Sequence, residues 1–269
     1  MTGNEQEGHR TPFFERKVFF LHPPFLIEKM YHDLVQAGFE AYLVYDHNLA
    51  LELVKEYRNS ILYVNIDAGQ DDGQWFQYVG SIISNEGTRD THIGILTDAR
   101  LNKKDVWAEK YLFDLEVQCG FISYISDLQR VKEVILKILD ANEARGRRRY
   151  VRAAGGAGCS VNFKVNDDLY VGDIVDISIG GMACILNDQS IRHSEGTVIR
   201  DIQLKLRGVI SMLSGKIVIV RLDRLNRIVH VVLFDLHQMS KKVEQNIVGY
   251  ICKCLQEFVE QKALQHQNL

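Results

Sequence analysis

Along the first 140 positions the apolar residues fall in short blocks. "VFFL" (Val18–Leu21), "AYLV" (Ala41–Val44), "ILYVN" (Ile61–Asn65), "HIGIL" (His92–Leu96) and "FISYI" (Phe121–Ile125) each run for four or five residues. Runs this short and this apolar predict buried strands. Between them the apolar positions recur every three or four residues, as on one face of a helix. In "IEKMYHDLVQAG", Ile27, Met30, Tyr31 and Leu34 share such a face, and Gly38 supplies a C-terminal cap. In "SDLQRVKEVILKILDANEARG", Leu128, Val131, Val134, Ile135 and Ile138 form the stripe, with Ser126 or Asp127 able to cap the start. Strands alternating with helices predict a parallel sheet covered on both faces.

After Arg152 the period changes to two. "CSVNFKV" puts Val161, Phe163 and Val165 on one face and Asn162 and Lys164 on the other. "LYVGDIVDISIGGMACIL" reads as two strands around Gly180-Gly181, and "TVIRDIQLKL", "MLSGKIVIVRL" and "RIVHVVLFDL" as three or four more. Short strands at this spacing predict an antiparallel barrel. The chain closes with a helical stripe of Val243, Ile247, Ile251, Cys254, Leu255 and Phe258, for which Ser240 is the N-cap candidate. The predicted fold class is therefore α/β plus β. It divides into a flexible N-terminus (1–16), an α/β domain (17–140), an arginine-rich linker (141–158) and a β-barrel domain with its closing helix (159–269).

Composition changes this picture little. A chain of 269 residues has room for two domains, and 46% hydrophobic with 25% charged residues is ordinary for a soluble protein. The net charge of -3 argues against broad coating of nucleic acid, which needs a large basic face. No apolar run is long enough to span a bilayer, and "MTGNEQEGHRTPFFERK" has no signal-peptide core, so the expectation is a cytoplasmic protein with no membrane insertion. The five cysteines, Cys119, Cys159, Cys184, Cys252 and Cys254, are scattered. They read as reduced structural thiols, with no metal site. His22, His32 and His92 lack paired ligand spacing, and Trp75 and Trp107 read as packing residues.

The order and length of the first half resemble the response-regulator receiver domain. A receiver carries an acidic pair after its first strand, where this chain has His22 and Pro23. Spacing back from Asp72-Gly73 puts Asn65 in the place of the phospho-accepting aspartate. Thr97 matches the hydroxyl residue ending the fourth strand, but Asp127 and Leu128 stand where lysine and proline belong. Receiver chemistry needs oxygen ligands for a divalent cation and an aspartate nucleophile, and an amide is a far poorer nucleophile. The resemblance thus implies a pseudo-receiver that docks a protein partner or a second copy of itself and has no catalytic residue. A register slip of two would make Asp67 the acceptor, whereas Asp67 and Asp72 otherwise read as turn residues.

Five of the eight residues in "RGRRRYVR" (Arg145–Arg152) are arginine. Alone, such a run is most often a solvated surface or a nucleic-acid patch. Here Arg148-x-x-x-Arg152, led by Arg147, is followed downstream by Asp176-x-Ser178-x-x-Gly181. "EG" at Glu195-Gly196, "GKIV" at Gly215–Val218 and Phe234 follow in order. Arg145-x-x-x-Arg149 also fits the first element, but the position of Tyr150 favours Arg148 and Arg152. Together these motifs resemble the PilZ domain, the bacterial receptor module for cyclic di-GMP.

The resemblance implies a non-catalytic effector whose ligand is held by Arg147, Arg148, Arg152, Asp176, Ser178, Gly180 and Gly181, with no further cofactor. An arginine fork matches guanine O6 and N7 or phosphate oxygens, and an aspartate accepts from the donor edge that arginine cannot serve. Gly180 and Gly181 would allow positive φ and close approach of the backbone. Binding would reorient the two domains or change partner binding, with an output in motility, attachment or virulence. The rival readings are a phosphorelay receiver using Asp67 and a nucleic-acid regulator using the arginine run.

Overall fold

The computed structural model describes residues 16–125 and 127–267. Residues 1–15 of the expected N-terminal tail, and the cap candidate Ser126, lie outside the described residues. The first half is a five-stranded sheet in the order β2-β1-β3-β4-β5, formed by β1 (Val18–Leu21), β2 (Ala41–Val44), β3 (Ile61–Asn65), β4 (His92–Asp98) and β5 (Phe121–Tyr124). All four pairings are parallel. This is a doubly wound order, whose strand C-termini form the natural site edge. The central strands are apolar throughout because both faces are covered.

Five helices cover the sheet: α1 (Phe25–Gln36), α2 (His47–Glu56), α3 (Asp72–Ser84), α4 (Lys104–Glu109) and α5 (Leu128–Ala141). Aspartates cap three of them. Asp46 accepts from the first turn of α2, Asp71 forms a capping box with Gln74 on α3, and Asp127 accepts from the Arg130 N–H on α5. Ile27, Met30, Tyr31 and Leu34 form the buried face of α1, and Gly38 follows its end with φ of 95°. On α5 the buried stripe is Val131, Ile135 and Leu139. Val134, expected in the stripe, is exposed in an open groove that it lines with Val131 and Ile138 beside the edge strand β5.

The second half is a closed barrel. Its strands are β7 (Cys159–Val165), β8 (Asp168–Ser178), β9 (Gly181–Leu186), β10 (Val198–Leu206), β11 (Val209–Leu222) and β12 (Ile228–Phe234). The ring runs β8-β7-β10-β11-β12-β9 and returns to β8 through the β8–β9 pairing, all antiparallel. Cys159, Val161 and Phe163 point inward from β7 with alternate residues facing out. Three strands, not four, follow β9, because "MLSGKIVIVRL" and the residues before it form one long strand bent by a register shift between Ile217 and Ile219.

The last helix, α6 (Lys241–Gln267), serves both halves. Ser240 Oγ accepts from the Val243 N–H at its start. Ile247, Val248, Ile251 and Leu255 are buried, and Tyr250 donates its hydroxyl to Ala154 O at the barrel. The other side meets the parallel-sheet domain. Tyr31 donates to Cys252 O, Gln256 donates to Leu43 O, Lys262 pairs with Glu56, and Phe258 packs on Tyr42 and Tyr57. The apolar stripe is thus wider than that read from sequence, because a helix wedged between two bodies buries more than one face. All five cysteines are free, with Cys252 buried and Cys254 half-buried on different sides of α6. No helix among the described residues is long and apolar enough to cross a membrane.

Candidate functional site

The arginine segment leaves α5 and reaches the barrel through a two-residue strand, β6 (Ala153–Ala154). Its partners are Ile177 and Asp176 on β8. This short ladder holds Arg152 beside the end of β8, where the Ser178–Gly181 turn leads into β9. Ser178 is buried, and its hydroxyl donates to Gly181 O at 3.2 Å, tightening the turn. Neither Gly180 nor Gly181 takes the positive φ expected of it. Both are needed for close approach instead. A Cβ on Gly181 would lie 2.3 Å from Val232 O, and one on Gly180 would lie 2.7 Å from the Tyr150 ring.

These elements enclose a cleft of about 340 Å³. Arg148, Arg149 and Arg152 line one side, with Asp176, Ser178, Gly180 and Gly181 beneath. Met182 and the strand from Val231 to Phe234, with Leu236, form an apolar wall. Six of the seven residues read from the motifs therefore meet here, and Arg147 lies outside the lining. Arg149 lines it instead, with its guanidinium 5.2 Å from the Tyr150 ring centroid. Arg145 is turned away, onto the Phe39 ring and Asp140, which separates it from the alternative Arg145/Arg149 pairing. Arg152 Nη1 faces Asp176 Oδ1 at 3.3 Å. The cleft thus combines cationic forks, one carboxylate and an exposed apolar surface at Leu233 and Leu236. Forks bind oxygen-rich edges or phosphates, the carboxylate accepts from N–H donors, and apolar side chains pack on ring faces. The motifs do not mark this wall, because Leu233 lies in the apolar run "IVHVVLF", where no position stands out as exposed.

A second cluster lies at the C-terminal edge of the parallel sheet. Asn65 donates through Nδ2 to His22 O at 2.8 Å and accepts from the Asp67 N–H. Asp67 is held on both oxygens: the Thr97 hydroxyl donates to Oδ1 at 2.9 Å and the Asp98 N–H to Oδ2 at 2.6 Å. Lys103 Nζ lies 3.3 Å from Asp67 Oδ1, 2.6 Å from Asp72 Oδ1 and 2.9 Å from Ile66 O. Burial disfavours the charged amine, but the Asp72 and Asp67 carboxylates outweigh it and raise the lysine above its ordinary pKa. Lys103 thus brings an amine to this edge where the Asp127-Leu128 alignment offered none. In "NKKD" it carries no mark that separates it from a surface lysine. His22 packs edge-on to Trp75, which is fully buried, and Trp107 packs on Phe76 and Tyr111. Among the described residues no group of three or more His, Cys, Asp or Glu side chains is arranged to hold a metal ion.

The site thus sits on a closed six-stranded barrel with an arginine segment over one turn and a helix across its flank. Solved PilZ domains are similar to this C-terminal part of the chain. The PilZ domain of YcgR from Escherichia coli, solved with c-di-GMP, is 21% identical, with 44% of this chain covering 97% of that one at a TM-score of 0.35. The K. pneumonia MrkH–c-di-GMP complex is 20% identical over 44% of this chain and 55% of that one, with a TM-score of 0.35. The Bacillus subtilis inhibitor of motility, MotI/DgrA, is 18% identical over 40% and 50%, again with a TM-score of 0.35. This chain spans about half the length of the latter two proteins. No family model and no curated protein sequence matches it.

Proposed function

We propose that this protein is a non-catalytic effector that binds cyclic di-GMP in the cleft between the arginine segment and the β8–β9 turn. The observation that carries the reading is the meeting of Arg148, Arg152, Asp176 and the Ser178–Gly181 turn around one cavity. Arg148 and Arg152 would fork onto guanine or phosphate oxygens, and Asp176 would accept from a guanine donor edge. Tyr150 and the leucines of the β12 wall would flank the ring faces. Ligand binding would shift the barrel relative to the parallel-sheet domain. Two contacts support that coupling: the same segment rests on Phe39 through Arg145, and α6 is packed between both bodies. The parallel-sheet domain would present the partner surface, and the output would fall in motility, attachment or virulence.

Calorimetric titration of cyclic di-GMP into the wild type and Arg148→Ala, with GTP as control, tests the assignment. The expected result is micromolar binding, weakened roughly tenfold by losing one charge-assisted contact, with no heat from GTP. Absence of heat from cyclic di-GMP overturns the reading.

A further inference from the structure

A second, smaller pocket of about 190 Å³ lies behind the arginine segment. It is bounded by Arg16, Gly38 and Glu40 of the parallel-sheet domain, by Ala144 and Gly146 after α5, and by Arg148, Tyr150, Val151 and Arg152. Three of these residues, Arg148, Tyr150 and Arg152, also line the larger cleft, so the two cavities share one wall. The segment is pressed tightly against the domain here. A Cβ on Gly38 would lie 2.6 Å from Arg149 O.

The charge in this pocket is unbalanced. Among the described residues that line it, Arg16, Arg148 and Arg152 contribute three guanidinium groups, of which Arg152 also faces Asp176, against the single carboxylate of Glu40. That carboxylate is already engaged, by the Lys17 amine and the Tyr42 hydroxyl. Arg16 Nη1 is buried and has no hydrogen-bond partner among the described residues. A buried guanidinium N–H without an acceptor costs free energy until an anion supplies one. The volume is below the ~300 Å³ at which small-molecule pockets usually begin, yet it has room for a tetrahedral oxyanion.

We propose that this pocket is a phosphate annex of the cleft, in which Arg16 of the parallel-sheet domain binds a phosphate group. The inference rests on the cyclic di-GMP reading as far as the source of that phosphate is concerned: a phosphodiester of the nucleotide held by Arg148 and Arg152. A free phosphate ion is the other source of the same chemistry. Either way Arg16 is the contact through which the first domain senses the occupant directly, and the shared arginine wall transmits it.

The test compares wild type, Arg16→Gln and Arg16→Lys by calorimetry with cyclic di-GMP and, separately, with inorganic phosphate. Arg16→Gln is expected to bind cyclic di-GMP roughly tenfold more weakly, and Arg16→Lys to recover most of the loss. Without ligand, Arg16→Gln should melt at or above the wild-type temperature, because a buried N–H without an acceptor has been removed; this separates lost binding from lost folding. Equal affinity of wild type and Arg16→Gln for cyclic di-GMP overturns the annex while leaving the main cleft intact. If the wild type binds no cyclic di-GMP, the functional reading fails, and the phosphate titration decides for the pocket alone. Phosphate heat lost in Arg16→Gln then sustains an anion site, and no phosphate heat in the wild type overturns it.

Discussion

Arg152 and Asp176 face each other at 3.3 Å at the cleft, carried by adjacent backbones in which Ala154 is the register partner of Asp176. Their side chains are 45% and 30% exposed, so as an ion pair they contribute at most about 1 kcal/mol to folding. Stability and binding should therefore separate. Asp176→Ala is expected to leave the urea midpoint almost unchanged and to weaken cyclic di-GMP binding by tenfold or more. A clear loss of stability with undiminished binding would make the pair structural and remove Asp176 from the site.

The two glycines of the turn should respond differently to alanine. At Gly181 the new methyl meets Val232 O and the Leu233 Cα, which are backbone atoms of a central barrel strand. Overpacking of this kind costs about 1–3 kcal/mol, and the loss should appear in chemical denaturation. At Gly180 the methyl clashes with the Tyr150 ring, which can swing, and touches Ser178 Oγ at ordinary contact distance. Gly180→Ala is expected to stay within about 1 kcal/mol of wild type while displacing Tyr150 and weakening ligand binding. Equal destabilisation by both substitutions would contradict this division.

Asp67 gives a third test. Its carboxylate accepts from the Thr97 hydroxyl and the Asp98 N–H, so Asp67→Ala strands two donors at once, while Lys103 keeps Asp72 and Ile66 O. Hydrogen bonds to charged groups are worth about 1.5–3 kcal/mol, and the variant should lose stability of that order. Among the described residues no group of three or more His, Cys, Asp or Glu side chains is arranged beside it to hold the divalent cation that phosphoryl transfer needs. Acetyl phosphate with magnesium is expected to give the intact protein no mass gain, and a gain that vanishes in Asp67→Ala would revive the phosphorelay reading.

The parallel sheet was legible because its strands are buried on both faces and appear as unbroken apolar blocks; β1, β2 and β3 match those blocks residue for residue. The barrel was legible through its alternation, with β7 as the clearest case. What sequence could not supply was proximity across long separations. Lys103 reaches Asp67 and Asp72 from the far side of β4, and nothing in its neighbours along the chain announces it. Arg149 and Arg147 stand two apart in one run, and only the path of the segment past Tyr150 brings the former, not the latter, to the cleft. The Gly180-Gly181 pair shows a different limit: the residue type was informative, but the physical demand was space for Val232 O and the Tyr150 ring and not a left-handed backbone.

His230 makes the barrel sensitive to acid. It is fully buried on β12, opposite Cys184 on β9 and Val220 on β11, and its ring lies 5.5 Å from that of His193, which packs edge-on to Tyr170. Its Nε2 accepts from the His193 N–H at 3.4 Å, and its Nδ1 is buried without a partner among the described residues. Burial, with smaller contributions from His193 and Arg192, pushes its pKa down to about 4. The unfolded chain takes up this proton near pH 6.5, so between about 6.5 and 4 the unfolded state binds more protons. Stability is then fully present above that window and falls through it as pH drops, by about 3 kcal/mol for a shift of this size. His230→Leu should remove that part of the slope. Carboxylates with lowered pKa, such as Asp98 and Glu257, lie away from the substitution, so the difference between urea midpoints at pH 7 and pH 5 reports His230 together with its neighbour His193, whose pKa burial also lowers. Parallel pH–stability curves for wild type and His230→Leu would show that His230 does not link protonation to folding.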